Sequence, residues 1–275
     1  MCADSQETAG DYKFPLEKLV SGVDSWTEVV IAGSGIGHLV DAAARRITRH
    51  IMGGYESYEV IEDRIREALN ELYKNDFRLY PSQYTGDTIV DLLIGVKLRK
   101  AQYPVLFAAS ATAVSRVAEY AVIGSGRAVQ YTIQSLYGKY MPLSRGVLIA
   151  IYLMNTAKSV LTTVGGQSKI ATIHNGDAAL GFAGPLEIKE AEDVFKRFNT
   201  QLSLVIDLAN LEKPEEEFQE RIADFTRYIA ELRQNYRANI DRWRNLMELL
   251  SRPLPPRTEP AEENPTAAQQ TDSSQ

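Results

Sequence analysis

Helical periodicity in this chain comes in adjacent pairs, and that order constrains the fold more than any single motif. Amphipathic spacing runs from about Gly37 to Ile51. After a break at "GGYES" it resumes over "YEVIEDRIREALNELYKND", with Val60, Ile61, Ile65, Leu69 and Leu72 on one face. A β-prone stretch, Trp26 to Ala32, precedes this pair, and four short strand-like segments follow it: "TIVDLLIGVKLR", "YPVLFAAS", "TAVSRVAE" and "YAVIG". A second helix pair is expected from about Arg127 to Tyr140 and from Ser144 to Val164. Gly165 and Gly166 are read as its stop, since helix C-termini favour glycine. The strand "KIATIH" then turns at Asn175, Gly176 and Asp177. A doubly wound parallel sheet needs single helices between its strands. Paired helices predict antiparallel sheets stacked on each other, with the helix pairs on their outer faces.

Past Lys189 the pattern changes to long helices. "EAEDVFKRFNTQLSLVIDLAN" is one, and a second runs from Pro214 to about Ser251. In the second, Phe218, Ile222, Phe225, Ile229, Leu232 and Tyr236 recur at four- and three-residue steps. Trp243, Leu246 and Leu250 resume the seam after a polar Asn239. Two readings stay open: a stripe packed on the preceding helix, or a contact with another subunit. From Pro253 onward Pro, Glu, Gln, Thr and Ser dominate, which reads as a disordered tail. The expected division is a body over 1–188, a helical extension over 189–252 and a tail over 253–275.

Composition narrows the function classes. A net charge of -6 and a pI near 5.3 argue against nucleic acid as the main partner. The single cysteine, Cys2, forbids an intrachain disulfide and fits a cytoplasmic setting. The opening "MCADSQETAG" has no signal-peptide pattern. The longest apolar run, "VLIAIYLM", falls short of the roughly 20 residues that cross a bilayer, so no membrane partner is expected.

Two glycine turns, "VIAGSGIGHLVDAAARR" and "YAVIGSGRAVQYTI", invite a nucleotide reading, and both fail it. Gly33, Gly35 and Gly37 give G-x-G-x-G, with His38 where the dinucleotide fingerprint continues. No P-loop lysine follows either turn, and Arg127 is no substitute. His38, His50 and His174 are isolated, without metal-ligand spacing, and no G-x-S-x-G elbow is present. No cofactor and no metal are expected.

Taken in order, "CADSQETAG" with "EKL", "VVIAGSG", "YAVIGSGRA" with a helix pair, and "VGG" before a strand resemble a proteasome-type β subunit. More narrowly, they are similar to the bacterial proteasome-like peptidases of that superfamily, over Met1 to Ile173. The resemblance implies an α+β fold, the four-layer αββα sandwich of N-terminal-nucleophile hydrolases, here with added C-terminal long helices. It implies a threonine nucleophile at the head of the mature chain, whose own amine helps as base. On these motifs Asp4 matches the family's acid, Lys18 its lysine, Gly33 its oxyanion amide and Ser125 the serine beside the nucleophile's amine. A peptide or protein substrate and a homo-oligomeric ring or stack follow from the same resemblance.

Two departures qualify it. The family carries an aspartate and a serine shortly before its paired glycines, where this chain has Leu161 and Val164. The family's first strand, headed by the threonine, falls ahead of "ADS", so the nucleophile is expected upstream of Met1. Cys2 corresponds to the far end of the second strand and not to the head of the first. Three functions are therefore carried forward: a threonine-type peptidase subunit, a non-catalytic scaffold of the same fold, and a small-amide hydrolase, since fold does not fix substrate.

Overall fold

A computed structural model describes residues 1–9, 12–15, 17–76, 90–175, 180–208 and 214–238. Three short strands open the chain: β1 (Cys2–Ala3), β2 (Gln6–Ala9) and β3 (Tyr12–Pro15). They lead into β4 (Leu19–Val23) and β5 (Thr27–Gly35), then α1 (Gly37–Ile51) and α2 (Tyr58–Asn75). Next come β6 (Val90–Leu98), β7 (Val105–Ser110) and β8 (Ala113–Arg116), a 3-10 turn (Gly124–Val129), α3 (Gln130–Leu136) and α4 (Leu143–Val160). The described chain ends with β9 (Lys169–Thr172), β10 (Gly181–Phe182), α5 (Pro185–Leu208) and α6 (Glu215–Ala238).

Strands β4 to β8 form one antiparallel sheet in sequential order. Its centre, β6, is buried at all nine positions, as a strand covered on both faces must be. Alternation decides which side chain goes where. Val29, Ile31, Leu92, Ile94 and Val96 pack under α1 and α2 with Ile47, Ile61, Ile65, Leu69 and Leu72. Val30, Ala32 and Leu93 point the other way, onto Ala3, Ala171 and Leu180. Those belong to or adjoin a second antiparallel sheet of order β1-β9-β10. Ile170 of β9 packs in turn on Val147 and Ile151 of α4 and on Ile188 and Ala191 of α5. The expected stacked antiparallel sheets are present; on β9 the covering helices are α4 and α5, and α3 of the expected second pair buries no residue.

The structure corrects four expectations. "YAVIG" forms no strand; it runs as a loop into the 3-10 turn, and α3 is confined to seven residues. The paired glycines do not stop α4, which ends at Val160 with Leu161 already extended. The pair instead lies against the start of the chain: Gly166 has φ +69, and a Cβ on it would come 2.6 Å from Ser5 Oγ and 3.3 Å from the Ser5 backbone. Val60 is 41% exposed, and α2 buries Ala68 beside Ile61, Ile65, Leu69 and Leu72. In α6, Phe218, Ile222 and Phe225 are half-buried and Ile229 is 37% exposed. Asn239, Trp243, Leu246, Leu250, the tail and the turn at 176–177 lie outside the described residues.

Helix α2 is locally well specified. Ser57 caps it by accepting the Val60 N–H, Glu59 lies in its first turn and Lys74 in its last. Its packing energy, however, comes from one stripe. Leu69→Ala is expected to lower stability by about 3 kcal/mol, as large-to-small core changes do. Val60→Ala is expected to stay within about 0.5 kcal/mol, the usual range for surface positions. Urea unfolding of both variants checks the pair; equal losses would mean that the buried face is wrongly drawn.

Candidate functional site

The site is organised by the carboxylate of Asp4, just past the end of β1. One oxygen, Oδ1, accepts from Lys18 Nζ at 2.9 Å. The other, Oδ2, accepts the backbone N–H of Gly165 at 3.1 Å and that of Gln6 at 3.3 Å. Both ion-pair side chains are largely withdrawn from water, at 12% and 17% exposure. A pair so placed is viable only when its remaining hydrogen-bonding capacity is filled; here both carboxylate oxygens are engaged. Gln6 Nε2 ties the same region to the Thr162 carbonyl at 3.2 Å.

Lys18 immediately precedes β4, and the pairing of β4 with β5 brings it beside Gly33, whose N–H donates to the Lys18 carbonyl at 3.1 Å. Ser125 lies in the 3-10 turn, and its hydroxyl accepts from Thr163 Oγ1 at 3.0 Å. Asp4, Lys18, Gly33 and Ser125 all line one cavity of about 360 Å³. Ser34 and Thr163 add hydroxyls to its wall; Leu93, Leu106, Ile149 and Leu153 make much of the rest apolar.

One edge of this cavity is backbone. Met1 and Ala171 exchange both of their backbone hydrogen bonds, at 2.7 and 2.9 Å. In an antiparallel pair the next residue then directs its N–H and C=O away from its partner strand. Cys2, opposite Ile170, therefore turns its backbone polar groups to the side of β1 away from β9. Among the described residues no strand pairs with β1 on that side.

Leu161 and Val164 pack in an apolar cluster with Val129, Leu153 and Ala157 and contribute no polar atom to the site. Thr163, between them, supplies the hydroxyl that reaches Ser125. Sequence reading missed Thr163, Gln6 and the Gly165 N–H. The only local signal for them was the polar pair in "LTTVGG", which the helix reading absorbed.

The surroundings of Cys2 disfavour its thiolate. Its side chain packs against the cluster around Val147, Ile151 and Ile170, and burial pushes the thiol up to about 12 from an ordinary 9.0. Nearby Lys158 offsets this only in part. Only the thiolate reacts, so Cys2 is expected to resist iodoacetamide at pH 8 in the folded protein and to label rapidly in urea. Mass spectrometry reads both; fast native labelling would contradict the burial.

Among the described residues no group of three or more His, Cys, Asp or Glu side chains gathers for a metal ion, and no helix is long and apolar enough to cross a membrane.

No family model matches the chain, and no curated protein matches its sequence. Solved structures do match. Anbu (ancestral beta-subunit) from Yersinia bercovieri superposes with a TM-score of 0.61 at 16% identity, over 78% of this chain and 94% of that one. The Anbu complex from Pseudomonas aeruginosa, solved as a helical assembly, gives a TM-score of 0.63 at 11% identity, over 78% of this chain and 93% of that one. Anbu from Hyphomicrobium sp. strain MC1 gives 0.57 at 13% identity, over 78% and 94%.

The fold is thus proteasome-related and resembles that of the Anbu proteins; identities this low carry the fold alone. The assignment to the proteasome-type β subunits is corrected by the same matches, because Anbu is a distinct family with a proteasome-like fold.

Proposed function

We propose that this chain is the body of a threonine-type peptidase of the N-terminal-nucleophile kind, with Asp4, Lys18, Gly33 and Ser125 in its site. The observation that carries the reading is the Lys18–Asp4 pair, held largely out of water at 2.9 Å on the wall of a partly apolar cavity. An ammonium group there favours the deprotonated form of a neighbouring hydroxyl and disfavours protonation of a neighbouring amine. Those are the two adjustments a nucleophile with its own amine as base requires. Asp4 fixes where the charge of Lys18 lies. Ser125, with Thr163, offers hydroxyls for the amine.

The nucleophile belongs in this reading on an extended segment along the free side of β1, ahead of Met1 in the native chain. The backbone groups of Cys2 turned to that side support it, as do the apolar cavity walls. Gly33 is the proposed oxyanion amide. Its N–H is held by the Lys18 carbonyl and must exchange that bond for the developing oxyanion. Such catalytic geometry often tightens only in the complex with substrate.

The same reading takes the packed sheets and helices as a four-layer αββα sandwich over 1–188, with the helical extension over 189–252 and the tail over 253–275. It includes a homo-oligomeric ring or stack with contacts through α5 and α6, a peptide or protein substrate, and a cytoplasmic setting. The half-buried Phe218, Ile222 and Phe225, the exposed Ile229 of α6 and the helical assembly of the Pseudomonas aeruginosa Anbu support the oligomer. A second reading, a non-catalytic scaffold, is favoured by the bonded Gly33 N–H and by the apolar Leu161 and Val164.

A peptide-cleavage assay with a threonine-reactive inhibitor, on protein from its native source, separates the two. The peptidase reading predicts that Lys18→Ala cuts turnover at least about 100-fold, the lower end for a group that assists proton transfer, with the circular dichroism unchanged. Unimpaired turnover in that variant would remove Lys18 from the site. Truncation at Pro214 is expected to lower the number of subunits per particle in light scattering; an unchanged number would dismiss α6 as a contact.

A further inference from the structure

Strand β6 is buried along its whole length, and its second residue is an aspartate, at 6% side-chain exposure. A carboxylate in such a strand is costly unless paired. Among the described residues Asp91 pairs with Arg127: Oδ2 accepts from Arg127 Nη2 at 3.1 Å. Its Oδ1 is buried with no hydrogen bond among the described residues, and after burial its charge helps push the Tyr73 hydroxyl of α2 above its ordinary pKa. Arg127 comes from the 3-10 turn and is itself 57% exposed, so its guanidinium reaches from the surface to a buried acid.

Besides this pair the turn has its packing on α4 and the hydrogen bond from Thr163 to Ser125. Only Val129 among its residues is buried. At its start, Gly124 has φ +58 and lies so close to β5 that a Cβ would come within 1.9 Å of Ser34 Oγ. Ser34 stands opposite Asp91 in the sheet register. The turn is therefore seated on the end of β5 and β6 at two adjacent points, residues 124 and 127, and Ser125 lies between them.

We propose that the Asp91–Arg127 pair is a positioning device, which seats the 3-10 turn on the sheet so that the Ser125 hydroxyl meets Thr163 at the cavity. The catalytic consequence rests on the hydrolase reading; the seating does not. Without the pair the turn keeps the Gly124 contact, the packing of Val129 on α4 and the single Thr163–Ser125 hydrogen bond. Ser125 then loses its fixed place, while Asp4 and Lys18, held by other elements, keep theirs.

Hydrogen exchange and peptidase kinetics on the full chain test this together. Arg127→Ala is expected to speed amide exchange over 124–129 about tenfold, with β5 and β6 unchanged, as for loss of a local tether. Arg127→Lys is expected to recover most of the protection. Adding Asp91→Asn to Arg127→Ala is expected to cost the turn nothing more, since two partners in one interaction are not additive. Unchanged exchange in Arg127→Ala would overturn the device. In the kinetics, kcat is expected to fall about tenfold with KM nearly constant, the pattern of a lost transition-state arrangement. A loosened turn with full kcat would overturn the positioning role. Absence of peptide turnover in the unaltered protein would remove the hydrolase reading alone, and the exchange data would still decide the seating.

Discussion

The site depends on one carboxylate. Asp4 accepts hydrogen bonds from Lys18, Gln6 and Gly165, which come from three separated parts of the chain. These bonds join the end of β1 to the start of β4 and to the loop that leads into β9. The two sheets meet close to this point, through Ala3, Ala32 and Leu93. An acid that binds a cation and two amide N–H groups at once has both oxygens engaged, which makes its withdrawal from water tolerable. Loss of Asp4 would leave a largely buried ammonium and two unsatisfied amides together, a larger penalty than loss of any single partner.

The cavity beside this carboxylate is chemically divided. Its polar end holds Asp4, Lys18 and the hydroxyls of Ser34, Ser125 and Thr163, while Leu93, Leu106, Ile149 and Leu153 shape the remainder. Low local polarity strengthens the effect of one fixed charge on its neighbours. The same apolar walls suit an extended segment packed between a sheet and a helix layer. The divided cavity and the outward-facing backbone of Cys2 are the observations on which the proposed nucleophile strand beside β1 rests.

Much of this was legible in the sequence, and the rest was not for definite reasons. The span of α1 was read to the residue, because its apolar spacing is uninterrupted and glycines bound it. The stacked antiparallel sheets followed from the order of elements alone. The failures are tertiary. "YAVIG" has strand composition, but Gly124 must fold over Ser34, which turns the chain away. The glycines at 165 and 166 match a helix stop, yet they lie against Gln6 and Ser5, more than 150 residues away in sequence, and it is Gly166, with φ +69, that the close approach requires. Val60 differs from Ile61 by one step of the helix, and only packing shows which of them is covered. Asp4, Lys18, Gly33 and Ser125 were found through resemblance and not through spacing. Thr163 had only the polar pair in "LTTVGG" to mark it, and the Asp91–Arg127 pair carries no local pattern. The resemblance itself led to a proteasome-related fold and to the wrong family, as superposition on the Anbu structures shows.

The central claim is that the Lys18–Asp4 pair serves a nucleophile on a strand beside β1. Intact mass and terminal sequencing of the protein from its native source, before and after a threonine-reactive inhibitor, test it most directly. The account predicts a mature chain that begins with threonine ahead of Met1 and gains one inhibitor mass on that residue. A chain that begins at Met1 or Cys2 and takes up no inhibitor would contradict it.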